Sequence, residues 1–410
     1  MPSAEQLRTY AEVAIRVGLG LEPHDRVLIE IPTALPDLAH ELVDVAYQGG
    51  AEDVEVLWLD TEVERSRFTN GGMAAAETVS ARSRLLERAF EDGVSYLRVL
   101  AQDPAAMAGI DPDLIGRFTK ANNEVVFAAR ERQFASEEPW TVIAAPVAEW
   151  TASVFPDVDL DEATEWLWSA IFRSCRVDQP DPVAAWTTHL DDLVARREFL
   201  TDRRYVGLRY RGPGTDLEVG LPDAAVWQGG GEMTSAGRRF CPNIPTEEVY
   251  TSPHFSKAGG RIAATKPLSY FGSLITGFWF ELSEGEVVDS GAEFGGEVLT
   301  RILATDEGSR RFGETAMVPQ SGAVAAEDLT WNNMLYDEND ACHIALGQSY
   351  PTCLEGGTAL STDQLRATGL NQSAVHVDFV VGSPKVNVYG VTQDGTEEPI
   401  ITGGEWGFTP

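Results

Sequence analysis

Arg26-Val-Leu-Ile-Glu-Ile31 is a short β-branched run set between two stretches whose apolar residues recur every three or four positions. The stretch before it, Ala4 to Leu19, closes at Gly20 and predicts a helix; the one after it, Leu35 to Tyr47, closes on Gly49-Gly50 and predicts another. Asp53-Val-Glu-Val-Leu-Trp-Leu59 then reads as a strand, and Met73 to Phe90 as a further helix. Val94 to Leu100 and Trp140 to Ala145 give two more strands, with Asp111 to Ala121 helical between them. Strands separated by helices of this length build βαβ units, so this half is expected to be an α/β domain with a mainly parallel sheet. No strand leads into a G-x-G-x-x-G or Walker A loop. Gly18-Leu-Gly20 follows a helix, the wrong context for a nucleotide fingerprint. The sheet is expected to serve as scaffold and substrate wall.

Leu160 to Cys175 and Pro182 to Arg203 are amphipathic stretches, the second opening on Asp181-Pro182 as a helix start should. Beyond Arg203 the texture turns to β. Tyr205 to Tyr210 and the segment Gly212-Pro-Gly-Thr-Asp-Leu-Glu-Val-Gly-Leu221 read as strands, and Leu274 to Leu282 with Glu286 to Asp289 as a hairpin. The expected division is an N-terminal α/β domain, 1–203, and a β-rich α+β domain, 204–410. There is no internal repeat and no low-complexity segment.

At 410 residues the chain exceeds what a single core usually fills. Its net charge of −33, from 31 basic and 64 acidic residues, opposes binding to nucleic acid or an anionic membrane and favours cations. No run of eighteen apolar residues occurs, and Met1-Pro-Ser-Ala-Glu5 lacks a charged and an apolar region, so a cytoplasmic protein is expected. The four cysteines, Cys175, Cys241, Cys342 and Cys353, form no CxxC pair and are expected to be reduced.

Chemistry concentrates near the C-terminus. The stretch from Leu335 to Pro351 holds Glu338, His343 and Tyr350, and its polar start reads as a loop entering a strand or short helix. In Ser373-Ala-Val-His-Val-Asp-Phe-Val-Val-Gly382, alternation points His376 and Asp378 one way while Val375, Val377 and Phe379 pack behind. Glu247 and Glu248 follow a proline turn in Asn243-Ile-Pro-Thr-Glu-Glu-Val-Tyr250, where Thr246 with the two acids is equally readable as a helix cap. Glu314 follows a glycine at the entrance to a strand.

Together Glu248, Glu314, Glu338, His343, His376 and Asp378 make an oxygen-rich set with two imidazoles. Four carboxylates in one pocket repel unless cations neutralise them. Two divalent ions would do so, and nitrogen and oxygen donors without thiolate suit Zn²⁺, Co²⁺ or Mn²⁺. The six residues span positions 248 to 378, so spacing alone does not establish that they converge.

Several phrases resemble one known family. These are Asn243-Ile-Pro-Thr-Glu-Glu, Gly313-Glu with Val318-Pro319, Asp337-Glu-Asn-x-x-Cys-His with Ala345-Leu-Gly and Tyr350-Pro351, and His376-Val-Asp-Phe. Together they look like the thermophilic aminopeptidase family of metallopeptidases, the M29 group of aminopeptidase T, aminopeptidase S and PepS. Weaker echoes in Tyr10-Ala-Glu, Val27-Leu-Ile and Gly50-Ala-x-Asp-Val-Glu-Val extend the resemblance through the N-terminal half. The resemblance implies Glu248, Glu314, His343, His376 and Asp378 as ligands of a two-metal centre. It makes Glu314 the bridging or base carboxylate and Tyr350 a catalytic phenol, with Glu338 a ligand or an outer carboxylate. It also implies a homodimer with a deep cavity.

The expected reaction is removal of an N-terminal amino acid from a peptide by a metal-activated water. An alternative uses part of the same set: His343, His376 and Asp378 alone would make the facial triad of a mononuclear iron ring-opening dioxygenase. Glu248 and Glu314, which such a site does not need, favour the peptidase.

Overall fold

The computed structural model describes residues 1–410 apart from Gln102, Pro104, Ala105, Ala135, Phe271 and Gly272. Two compact units are distinguished: Met1–Thr187 with Gly231–Pro245, and Thr188–Gly230 with Thr246–Pro410. Among the described residues no helix is long and apolar enough to cross a membrane.

The first unit is built on a four-stranded parallel sheet in the order Asp53–Leu59, Arg26–Pro32, Ser95–Leu100, Trp140–Ala144. Its strands fall on the runs read as strands in the sequence, and Ile29, Leu97 and Ile143 are fully buried. The opening helix Ala4–Val13 starts on a Ser3 capping box and ends in a π-helical turn, Ala14–Gly18, rather than running on as one α-helix. The fully buried Tyr10 from this helix donates to Ala144 O at 2.8 Å.

The single helix expected over Met73 to Phe90 is two, Thr61–Ala76 and Ala81–Glu91. Ser80 breaks the run because its side chain accepts the Ser83 N–H and starts a new helix. Gly72, at φ 56°, breaks the first of the two from within. The helix Pro112–Phe134 extends well past Ala121. The late segment 231–245 supplies a hairpin, Glu232–Met233 with Arg239–Phe240. It then lies beside the Trp140 strand: Val142 N donates to Pro242 O at 2.7 Å, and Ile244 N donates to Val142 O at 2.9 Å.

The long helix Pro182–Arg203 ends where the sequence turns to β. The second unit holds an eight-stranded antiparallel sheet running from Glu286–Gly291 through Trp279–Ser283, Ala258–Ala263, Thr215–Gly220, Gly207–Gly212, Asn387–Val391 and Glu397–Thr402 to Glu405–Trp406. The expected hairpin is present, but Gly277 at φ 57° splits its first strand into Ser273–Ile275 and Trp279–Ser283. Its turn places Glu284 and Gly285 at positive φ, as a two-residue hairpin loop requires.

A second sheet of four antiparallel strands runs His376–Val380, His343–Gly347, Phe312–Met317, Val249–Thr251. Both sheets contribute to one apolar cluster that includes Tyr210, Leu217, Phe280, Ile344, Leu346, Val377 and Phe379.

Candidate metal centre

The smaller sheet has an apolar face and an ionisable one. Ala345 pairs with Glu314 on one side and with Asp378 on the other, so the three stand in a row across three strands and face one way. His343 and His376 lie two residues from Ala345 and Asp378 along their own strands and share that face. Ile344, Leu346, Val377, Phe379 and Met317 occupy the opposite face and are buried in the core. A slip of one residue would bury the charges and expose the apolar row, so the pattern fixes the register. Ala345 and Gly347 leave the floor between the acids open. Glu248 enters from the extended segment ahead of Val249–Thr251; no helix forms at Thr246. Glu338 follows the short helix Met334–Asp337, and the chain then turns into the His343 strand.

Glu248, Glu314 and His343 are buried. Nε2 of His343 is 3.2 Å from Glu248 Oε2 and 3.9 Å from Glu314 Oε1. Nε2 of His376 is 3.0 Å from Glu314 Oε2 and 3.3 Å from Asp378 Oδ1. Nδ1 of His376 faces the Gln348 carbonyl at 2.8 Å, a contact that a protonated Nδ1 satisfies and that turns Nε2 toward the carboxylates. Nδ1 of His343 faces Ala341 O at 3.4 Å in the same sense. The potential ligand atoms form two groups, Glu248–Glu314–His343 and Glu314–His376–Asp378, with the atoms of each within 4.8 Å of one another. Glu314 belongs to both. Glu338 belongs to neither, though its carboxyl stands close enough to Glu248, Asp378 and Glu314 to feel their charge.

The electrostatics are those of acids crowded out of water. Burial, then the charges of Glu248 and Asp378, push Glu314 up to about 7 despite the His376 hydrogen bond. Burial and the same two neighbours hold Glu338 well above the usual carboxylate range. Burial favours neutral imidazole, yet Glu248 overcomes it and raises His343 to about 10. His376 is raised against burial by Asp378 and Glu314, and Asp378 is lowered against burial by His376. The crowded acids and imidazoles therefore favour protons that offset the negative charge. Divalent cations fit this donor set: they would take the place of those protons, and among the described residues no cysteine joins either group.

Residues 3–406 match the family model described as thermophilic metalloprotease (M29). The chain belongs to the M29 family of metallopeptidases. It is 40% identical to Aminopeptidase 2 of Geobacillus stearothermophilus over 405 residues, covering 98% of each chain. It is likewise 40% identical to Aminopeptidase T of Thermus aquaticus, again over 98% of both. The solved structure of wild-type AmpT from Thermus thermophilus superimposes with a TM-score of 0.92 at 38% identity, covering 98% of each chain. Relatives in this M29 family are named as aminopeptidases, hence hydrolases, and the ring-opening dioxygenase reading gains no support from them.

The structure brings five of the sequence-derived candidates into the two groups and sets Glu338 beside them. Tyr350 lies on the same side, its hydroxyl 3.4 Å from His376 Nε2. Sequence reasoning missed Tyr250, whose ring meets Tyr350 edge-on at 5.6 Å, and the carbonyl of Gln348. A backbone acceptor leaves no signal in sequence. Tyr250 could have been found from its alternation with Glu248.

Proposed function

We propose that this M29 metallopeptidase is an aminopeptidase that releases N-terminal residues from peptides at a centre of two divalent ions, Zn²⁺, Co²⁺ or Mn²⁺. The observation that carries this reading is the sharing of Glu314 by both donor groups on one buried face. Glu248 and His343 would hold one ion, His376 and Asp378 the other, and Glu314 would bridge them. Such a pair lowers the pKa of a water and polarises the scissile carbonyl. As the bridging or base carboxylate, Glu314 would stand beside that water. Tyr350, whose hydroxyl stays protonated because burial and the surrounding carboxylates hold it well above the usual phenol range, donates to the developing oxyanion. Glu338 extends the acidic wall, which favours a substrate carrying a free α-ammonium group. A homodimer is part of the same reading, supported by the family resemblance, and so is a cytoplasmic protein, supported by the lack of any run of eighteen apolar residues.

Elemental analysis of the purified protein, paired with an aminoacyl-nitroanilide assay, tests the proposal. Two divalent ions per chain and chelator-sensitive release of nitroaniline are expected. One iron per chain with oxygen uptake on a hydroxylated aromatic would overturn it.

A further inference from the structure

Asn339 is fully buried one residue beyond Glu338, and its amide joins two segments distant in sequence. Its Oδ1 accepts the backbone N–H of Glu247 at 2.7 Å. Its Nδ2 donates to Leu335 O at 2.9 Å and reaches Glu338 Oε1 at 3.5 Å. Thr246, Glu247 and Glu248 lie outside any helix or strand, so no ladder fixes the backbone that presents the Glu248 carboxylate. The amide of Asn339 holds that backbone at Glu247, one residue before Glu248, while His189 Nε2 contacts Thr246 O at 2.8 Å. Its own position is held from the next residue, where the buried Asp340 pairs with Lys266.

We propose that Asn339 is a positioning residue: it aims Glu248 at His343 and so sets cation affinity at the Glu248–Glu314–His343 group while leaving the Glu314–His376–Asp378 group largely alone. This rests on the two-ion reading above. The selectivity follows from where its bonds go. They end on Glu247, Leu335 and Glu338, whereas His376 is oriented separately by the Gln348 carbonyl. Partners of this outer kind typically change metal affinity by about 10–100-fold.

The test is a Co²⁺ titration of the metal-stripped, full-length protein, read by visible absorption and by competition with a chelator. Wild type, Asn339→Ala, Asn339→Asp and Glu248→Ala are compared, with circular dichroism on each. Asn339→Ala should bind one ion about 10–100-fold more weakly and the other within roughly threefold of wild type. The weakened ion should be the one lost in Glu248→Ala. Asn339→Asp keeps an oxygen for the Glu247 N–H but loses the donor to Leu335 O and faces Glu338 with a second carboxylate, so it should recover only part of the affinity. If Asn339→Ala does not fold, Asn339→Ser, too short to reach that amide, takes its place with the same expected loss. Equal weakening of both ions in Asn339→Ala, or affinities unchanged from wild type, would each overturn the positioning role. If Glu248→Ala binds both ions like wild type, the cation assignment itself fails. If it loses one ion while the Asn339 variants do not, only the positioning role fails.

Discussion

The hydroxyl of Tyr350 lies 3.4 Å from Nε2 of His376, and their rings meet edge-on with centroids 5.1 Å apart. The phenol is thus seated at the Glu314–His376–Asp378 group, and Pro351 restricts the backbone that carries it. A donor so placed acts on charge that develops during reaction. Tyr350→Phe should lower kcat by about 10²–10³ with little change in KM and with full metal content. Steady-state kinetics on one peptide substrate, alongside elemental analysis, decide it. A variant with near-wild-type kcat would remove the phenol from the mechanism.

Glu314→Gln keeps the shape of the side chain and deletes the charge shared by the two groups. It should lose bound metal and turnover together, while circular dichroism stays that of the parent. Retention of two ions with activity would show that Glu314 does not bridge.

Ala345, fully buried, separates Glu314 from Asp378 on the sheet floor. Ala345→Val adds two methyl groups where the cations are expected, and overpacking of this kind costs about 1–3 kcal/mol. Metal affinity should fall at least ~10-fold in a chelator competition. The far-UV spectrum should not change, because the apolar face of the sheet is untouched. Unaltered affinity would mean that the floor is not where metal sits.

Metal should reverse the effect of pH on stability. In the cation-free site Glu314 is raised from 4.5 to about 7 and His343 from 6.5 to about 10. Both shifts are upward, so the folded metal-free protein binds more protons than the unfolded chain and loses stability as pH rises. The loss runs first from 4.5 through about 7, then from 6.5 through about 10. Cations displace those protons and gain affinity over the same range. The difference in Tm between metal-loaded and chelated protein should therefore widen from about pH 5.5 to about pH 8.5. A gap that narrows would contradict the assigned protonation.

The strands of the parallel sheet were legible because short apolar runs between helical stretches, such as Arg26–Pro32, mark themselves. The helix Thr61–Ala76 was not, because its polar residues and Gly71-Gly72 blur the apolar period. The π-helical turn at Ala14–Gly18 follows from packing and has no residue code. In the site, the shared face of His376 and Asp378 follows from alternation alone. The row Glu314–Ala345–Asp378 depends on pairing between distant strands, and an irregularity between Phe312 and Glu314 shifts that register. Counting residues along the sequence cannot supply it.

The strip of chain from residue 241 to 244 that lies along Trp140–Ala144 also bears on how the protein is made. The ribosome releases Ala144 one hundred residues before it releases Ile244, an interval of about 5–20 s at roughly 5–20 residues per second. Through that interval the edge of the parallel sheet has no partner at Val142, whose N–H and carbonyl are later taken by Pro242 and Ile244. Bare edges invite pairing with other chains, so the nascent protein passes through a stage open to such pairing before the acidic pocket exists. A stop codon at any point between the two leaves that edge bare for good.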